Sequence, residues 1–184
     1  VRQDKVSDKE AILSFTAKVR NTEKNAQKAV ISFFIKERDG KVLKETKEEK
    51  MILPKTTMPI TSTFRIGNPH LWNGKKDPYL YIAEVKVKVG SEIVDNYTFP
   101  LGIRYYSIDP DRGFILNGRS YPLRGVSLHE ERKDKGNAVS DTERKEDIDR
   151  IIAMGSNYIR LSHYQHGDFT YRYLDSLGII CWTE

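Results

Sequence analysis

The stretch Asn157-Tyr158-Ile159-Arg160-Leu161-Ser162-His163 decides how the second half of the chain folds. It is short, sets Ile159 and Leu161 two apart, and closes on Ser-His, which reads as a strand. Before it stands Ser140-Asp141-Thr142-Glu143, the Ser/Thr-x-x-Glu box that satisfies free backbone donors at a helix start. Ile148, Ile151 and Ile152 follow at helical spacing, and Gly155 ends that helix. After it, Asp168 to Leu177 predicts a second helix, with Phe169, Tyr173, Leu174 and Leu177 on one stripe and Gly178 as its end. Leu123 to Leu128 and Ile179 to Trp182 supply two more strands. The order β-α-β-α-β calls for a parallel sheet with right-handed crossovers. Ahead of it, Arg112-Gly113 and Asn117-Gly118 flank Phe114-Ile115-Leu116 and predict a small hairpin.

Working back from this segment, the first ~105 residues change period from helical spacing to strict alternation. In Leu13 to Val19 the odd positions are apolar. Val30 to Ile35 is mostly apolar, fit for a strand buried on both faces or bulged. Asp39-Gly40 makes a tight hairpin turn and Val42-Leu43 starts the return strand. Tyr81, Ala83, Val85, Val87 and Val89 point one way, and Glu84, Lys86 and Lys88 the other. Gly90-Ser91 turns the chain and Ile93 to Phe99 comes back. About seven short strands of this kind predict an immunoglobulin-like β-sandwich over residues 1–105. Residues 106–184 then form the N-terminal part of a (β/α)8 TIM barrel, with three strands and two helices. A complete barrel takes ~250 residues, so the expected barrel is truncated.

Composition narrows the classes. Of 184 residues, 38% are hydrophobic, enough for a core. No apolar run reaches the ~20 residues that span a bilayer, so no membrane partner is expected. The net charge of +5 comes from 31 basic and 26 acidic residues. Their signs are mixed along Lys36 to Lys50, a solvated face and no one-signed nucleic-acid stripe. The single cysteine, Cys181, excludes an intramolecular disulfide and any multi-cysteine zinc site. The expected setting is soluble, in a bacterial cytoplasm or periplasm, although no residue fixes the compartment.

In parallel α/β folds the chemistry gathers at the carboxyl ends of the strands. His129-Glu130 follows the first strand, His163 the second and Glu184 the third, so three successive strands deliver ionisable groups to one rim. Each histidine alone could equally bond to loop backbone. Arg160 should point into the barrel interior, where a buried guanidinium needs a carboxylate partner. Tyr164 could stack on a sugar ring or simply pack. Trp182 and Cys181 read as core. A Glu130–Glu184 catalytic pair is disfavoured, because adjacent Glu130 and Glu131 cannot both face the rim.

These same residues carry a resemblance. Phe114-Ile115-Leu116-Asn117-Gly118 with Leu123-Arg124-Gly125-Val126-Ser127-Leu128-His129-Glu130 resembles the opening of the catalytic barrel in glycoside hydrolase family 2. Asn157 to Tyr164 is similar to that family's N-x-[IV]-R-x-[SA]-H-Y-P signature, and Asp175 to Glu184 to its D-x-x-G-[IL]-x-[VL]-W-x-E. Upstream, Leu71-Trp72, Pro78 to Tyr81 and Gly102-Ile103-Arg104 resemble the preceding sandwich domain. The His163-Tyr164-Gln165-His166 variant is most like bacterial β-galactosidase-type members. Ser127 stands where Asn is usual and Gln165 where Pro is usual, which puts substrate preference in doubt.

The resemblance implies a fragment of a retaining β-glycosidase, a β-galactosidase first, with β-glucuronidase and β-mannosidase as alternatives. A β-linked carbohydrate is the implied partner, and a homo-oligomer is left open. His129, His163, Glu130, Arg160 and Tyr164 are the implied substrate-binding residues, with Arg160 supporting the nucleophile's surroundings. The acid/base and nucleophile glutamates are expected downstream of Glu184, so the chain alone is expected to be inactive. Glu184 matches an acidic position that binds Mg²⁺ in some β-galactosidases. One carboxylate holds Mg²⁺ poorly, so no cofactor is expected in this fragment and Mg²⁺ only in the full-length enzyme. Two other readings compete: a non-catalytic sandwich scaffold or binding module, and a metal-dependent hydrolase barrel with His129, His163 and Glu184 as ligands.

Overall fold

A computed structural model describes residues 1–184. Seven strands come first: β1 (Arg2–Val6), β2 (Glu10–Arg20), β3 (Gln27–Lys36), β4 (Val42–Ile52), β5 (Thr57–Gly67), β6 (Tyr81–Val89) and β7 (Glu92–Leu101). They form a three-stranded sheet, β1-β2-β5, and a four-stranded sheet, β4-β3-β6-β7. Every pairing in both is antiparallel. The alternation in β2 and β3 sets Leu13 and Phe15 on one sheet against Ile31, Phe33 and Ile35 on the other, all buried. Phe15 makes an edge contact with Phe33 of the facing sheet (6.4 Å) and another with Phe64 of its own sheet (5.0 Å), so aromatic rings gather where the two sheets meet. The apolar run Val30 to Ile35 is therefore half-buried in alternation, and the bulge comes at its end, between Ile35 and Lys36.

Glu84 departs from the expected solvated face. It is 6% exposed, on the side of β6 away from the core. Lys36 and Lys86 reach its carboxylate (2.6 and 3.3 Å), and both ammonium groups also sit over the Phe34 ring. Burial pushes its carboxyl up, but the two lysines outweigh this and hold it below the ordinary value.

The chain divides into two compact units, Val1–His70 with Leu80–Ile103, and Leu71–Tyr79 with Arg104–Glu184. By contacts the segment 71–79 goes with the second unit, although it precedes residue 105. The reason is local bonding. The buried Trp72 indole N–H donates to the Asp175 carbonyl (2.8 Å). Arg104 stacks on that indole (4.6 Å) and pairs with Asp175 (3.2 Å). Asn117 donates to the Trp72 carbonyl (3.0 Å) and to Asn73 (2.8 Å) while accepting from the Tyr105 amide (3.0 Å).

The second unit continues with β8 (Tyr106–Asp109), β9 (Gly113–Leu116), β10 (Arg119–Ser120), β11 (Gly125–Leu128), α1 (Asp141–Ala153), β12 (Tyr158–Leu161), α2 (Asp168–Leu177) and β13 (Ile180–Thr183). The expected hairpin around Phe114 is a three-stranded meander, β10-β9-β8. Strands β11, β12 and β13 form a parallel sheet in that order. The Ser140–Glu143 capping box is formed. At the close of α2, Gly178 has φ +74° and lies against the Gly74 carbonyl, so a side chain there would collide at 2.3 Å.

One face of the parallel sheet packs on the helices. Ile159 and Leu161 join Ile148, Ile151, Leu174 and Ile179 in a buried cluster. The other face carries Ser127, Arg160 and Trp182 side by side. Trp182 is 55% exposed and is not core, because no helix covers its face. Ile159, on the helix-covered face, is fully buried.

Candidate active-site rim

The parallel register places the ends of β11, β12 and β13 level, so His129, His163 and Glu184 emerge together. The rings of His129 and His163 meet edge to face at 5.0 Å. Glu184 lies beside them. Its Oε2 accepts from the His163 amide (3.0 Å), and His163 Nδ1 lies 3.2 Å from the same oxygen. Its Oε1 accepts from Arg160 Nε (3.0 Å) and Nη2 (2.5 Å). Arg160 also reaches the hydroxyls of Ser127 and Ser162, each at 3.4 Å. Arg160 thus points to the open face and pairs with a carboxylate from the neighbouring strand. The His163 amide and the Arg160 guanidinium hold the Glu184 carboxyl below its ordinary value.

His163 adopts φ +70°, a region that non-glycine residues rarely visit. The backbone pays for this turn with strain, and the bond from its amide to Glu184 offsets it.

Glu130 does not join this rim. Its side chain is only 11% exposed. Its Oε1 accepts from Arg144 Nη2 (2.6 Å) and its Oε2 from the Gly167 amide (3.1 Å). Each oxygen thus has a partner inside the protein, and the side chain ties internal groups where a substrate contact was expected. Burial pushes this carboxyl up, and Arg144 with the Gly167 amide brings it below the ordinary value. Tyr164 is likewise drawn inward. Its ring stacks on the buried His166 (5.4 Å), and its hydroxyl is sealed from solvent. Burial pushes the His166 imidazole down from its ordinary value.

Both Glu130 and Glu184 thus sit beside cations and amide donors that favour their charged form. Glu184 is the acidic position expected to meet Mg²⁺ in a longer chain, and these residues bring it no second carboxylate. Its neighbours are a guanidinium and an imidazole where the ion needs several oxygens, and no three His, Cys, Asp or Glu side chains converge.

Sequence reasoning missed Arg144 and His166. Arg144 sits in the first turn of α1, where the sequence shows only another helix charge. The charge it serves lies 14 residues earlier, a pairing that only the fold reveals. A larger cleft of about 690 Å³ lies elsewhere in this unit, along the free edge of β13, lined by Trp72, Tyr106, Phe114, Tyr158, Ile180 and Trp182 among others. It does not include the rim histidines.

The sequence pattern described as Glycosyl hydrolases family 2 matches residues 1–104, and that of the family's TIM barrel domain matches residues 110–184. The chain belongs to glycosyl hydrolase family 2. A β-glucuronidase of Bacteroides fragilis is 42% identical over 119 residues, covering 65% of this chain and 17% of that protein. A β-galactosidase of Thermoanaerobacter pseudethanolicus is 31% identical over 182 residues, covering 98% of this chain and 24% of that protein. The solved structure of Bacteroides uniformis β-glucuronidase 2, covalently bound to cyclophellitol-6-carboxylate aziridine, superposes with a TM-score of 0.94 at 28% identity. That match covers 99% of this chain and 22% of the other. The chain therefore spans about a quarter or less of the length of these family 2 relatives. No helix of the chain is long and apolar enough to cross a membrane.

Proposed function

We propose that this chain is the sandwich and barrel-opening part of a retaining β-glycosidase acting on a β-galactoside or β-glucuronide. The reading rests on the family membership. The observation that carries it further is the convergence of His129, His163 and the Arg160–Glu184 pair at the carboxyl ends of three successive parallel strands. In this reading residues 1–105 are an immunoglobulin-like sandwich, supported by the β1-β2-β5 and β4-β3-β6-β7 sheet orders. Residues 106–184 open a (β/α)8 barrel whose later strands are supplied from outside these residues.

His129 and His163 offer ring nitrogens to sugar hydroxyls, and such bonds strengthen as charge develops in the transition state. Arg160 places a fixed positive charge on the barrel-facing side of the sheet and keeps nearby carboxylates ionised. One glutamate protonates the leaving oxygen. Another attacks the anomeric carbon and forms a glycosyl-enzyme, which water then hydrolyses. Both glutamates are assigned outside these 184 residues. Galactoside and glucuronide differ at the sugar's C6, a hydroxymethyl against a carboxylate, and the names of the relatives divide between the two.

The test compares this chain with a version extended through the remaining barrel strands, on nitrophenyl β-galactoside and β-glucuronide. Only the extended chain should cleave, and the preferred glycoside names the sugar. Cleavage by the 184-residue chain itself would overturn the assignment and make Glu130 and Glu184 the residues to mutate.

A further inference from the structure

We infer that Glu130 is a positioning residue: it ties the loop after β11 to the loop after β12 and so fixes the His129–His163 pair at the rim. Glu130 directly follows His129. Its carboxylate takes the amide of Gly167, four residues after His163 and at the threshold of α2. From the other side, Glu184 takes the amide of His163 itself. The β12 loop, residues 162–167, therefore hangs between carboxylates from its two neighbouring strands. Gly167 lacks a side chain, and Ser162 and His166 are buried.

The tie is itself anchored. Arg144 donates to Glu130 (2.6 Å) and to Asp141 (2.7 Å), which fastens the carboxylate to the first turn of α1. A side chain on Gly167 would meet the Arg144 guanidinium at 2.9 Å, so the loop passes as close to the anchor as a bare backbone allows. Below it the fully buried His166 ring packs on Tyr164, with its Nδ1 3.4 Å from Glu130. A charged group this enclosed has few alternative partners, so it fixes direction as well as distance. The two histidines lie on loops, and loops hold geometry only when tied to rigid elements. Glu130 ties both at once.

What the pair binds rests on the sugar reading above. The pair's geometry does not, and the two can be tested apart. In the 184-residue chain with isotope-labelled histidines, ring protons of His129 and His163 should show mutual NOE contacts, and the Gly167 amide should exchange slowly. Glu130→Gln should weaken the ring contact by half or more and speed Gly167 exchange at least tenfold. Amides of Ile31 and Phe33 should be unchanged. Glu131→Gln, at the exposed neighbour, should change neither signal. An unaltered ring contact and Gly167 amide in Glu130→Gln would overturn the inference. Should that variant fail to fold, Arg144→Lys keeps the charge but loses the anchoring geometry, and it must produce the same loosening. Methyl β-galactoside and methyl β-glucuronide titrated into the unaltered chain test the sugar reading separately. Failure of both to shift the two histidines would count against the ligand and leave the tie standing.

Discussion

The sandwich and the α/β unit use their sheets in opposite ways. In the sandwich, long strands such as β2 and β3 bury alternate side chains against the facing sheet, where Phe15 and Phe64 of one sheet gather with Phe33 of the other. In the α/β unit, strands of four residues bury one face under two helices. The other face is left to Ser127, Arg160 and Trp182. The first arrangement spends its surface on stability. The second keeps a face and a rim in polar groups, held by ion pairs and by backbone bonds to carboxylates. The two units are thus held by different interactions, and substitutions can separate them.

The largest effect should come from the smallest side chain. A Cβ at Gly125 would stand 1.7 Å from the Tyr158 carbonyl oxygen, which is backbone and cannot swing away. Gly125→Ala should therefore break the β11–β12 register and destabilise the α/β unit by about 4 kcal/mol or more. Hydrogen exchange should lose protection at Ile159 and Leu161 and keep it at Ile31. Equal loss at both would mean that the two units do not unfold separately. The sandwich counterpart is Phe15→Ala, which empties the aromatic junction at a cost of about 3–4 kcal/mol. Its loss should appear at Ile31 and Phe33 in a denaturant melt followed residue by residue.

This contrast also explains what could be read in advance. Helix α2 and the capping box of α1 were legible because their signals are local, a residue spacing and a four-residue motif. The rim was legible because a strand's end places whatever follows it. Three features were not. Trp182 reads as core by composition, and only the pairing with Arg160 and Ser127 puts it on the uncovered face. Glu130 follows a strand as His129 does, but its burial depends on Arg144 from a helix further along. The segment 71–79 lies among sandwich strands in sequence, while Trp72 bonds to Asp175, 103 residues away.

Acid should act on both units through depressed carboxyls. Glu130 and Glu184 in one, and Glu84 in the other, are held below their ordinary values in the folded chain. A group with a depressed folded pKa contributes stability above its unfolded value, about 4.3 for glutamate, and loses it as pH falls through the folded value. Unfolding midpoints should hold steady above about pH 5 and fall below about pH 4. Glu130→Gln should flatten that fall for the α/β unit alone, and Glu84→Gln for the sandwich alone. If each variant altered both units equally, the acid response would belong to overall charge and not to these pairs.

The smallest effect should be at Trp182. It is 55% exposed, whereas Trp72 is 1% exposed, so the two indoles of one unit report opposite environments. Acrylamide should quench one emission component strongly and leave the other nearly untouched, and Trp182→Phe should remove the quenched one. Because the ring buries little surface, the substitution should change stability by less than about 0.5 kcal/mol. Trp72→Phe loses the bond to Asp175 and part of the stacking under Arg104, and should cost roughly 1–3 kcal/mol. A large loss from Trp182→Phe would mean that its face is covered in solution. The polar face would then be an interior in the working protein, and Arg160 and Glu184 would be a buried pair whose separation costs far more than a half-exposed one.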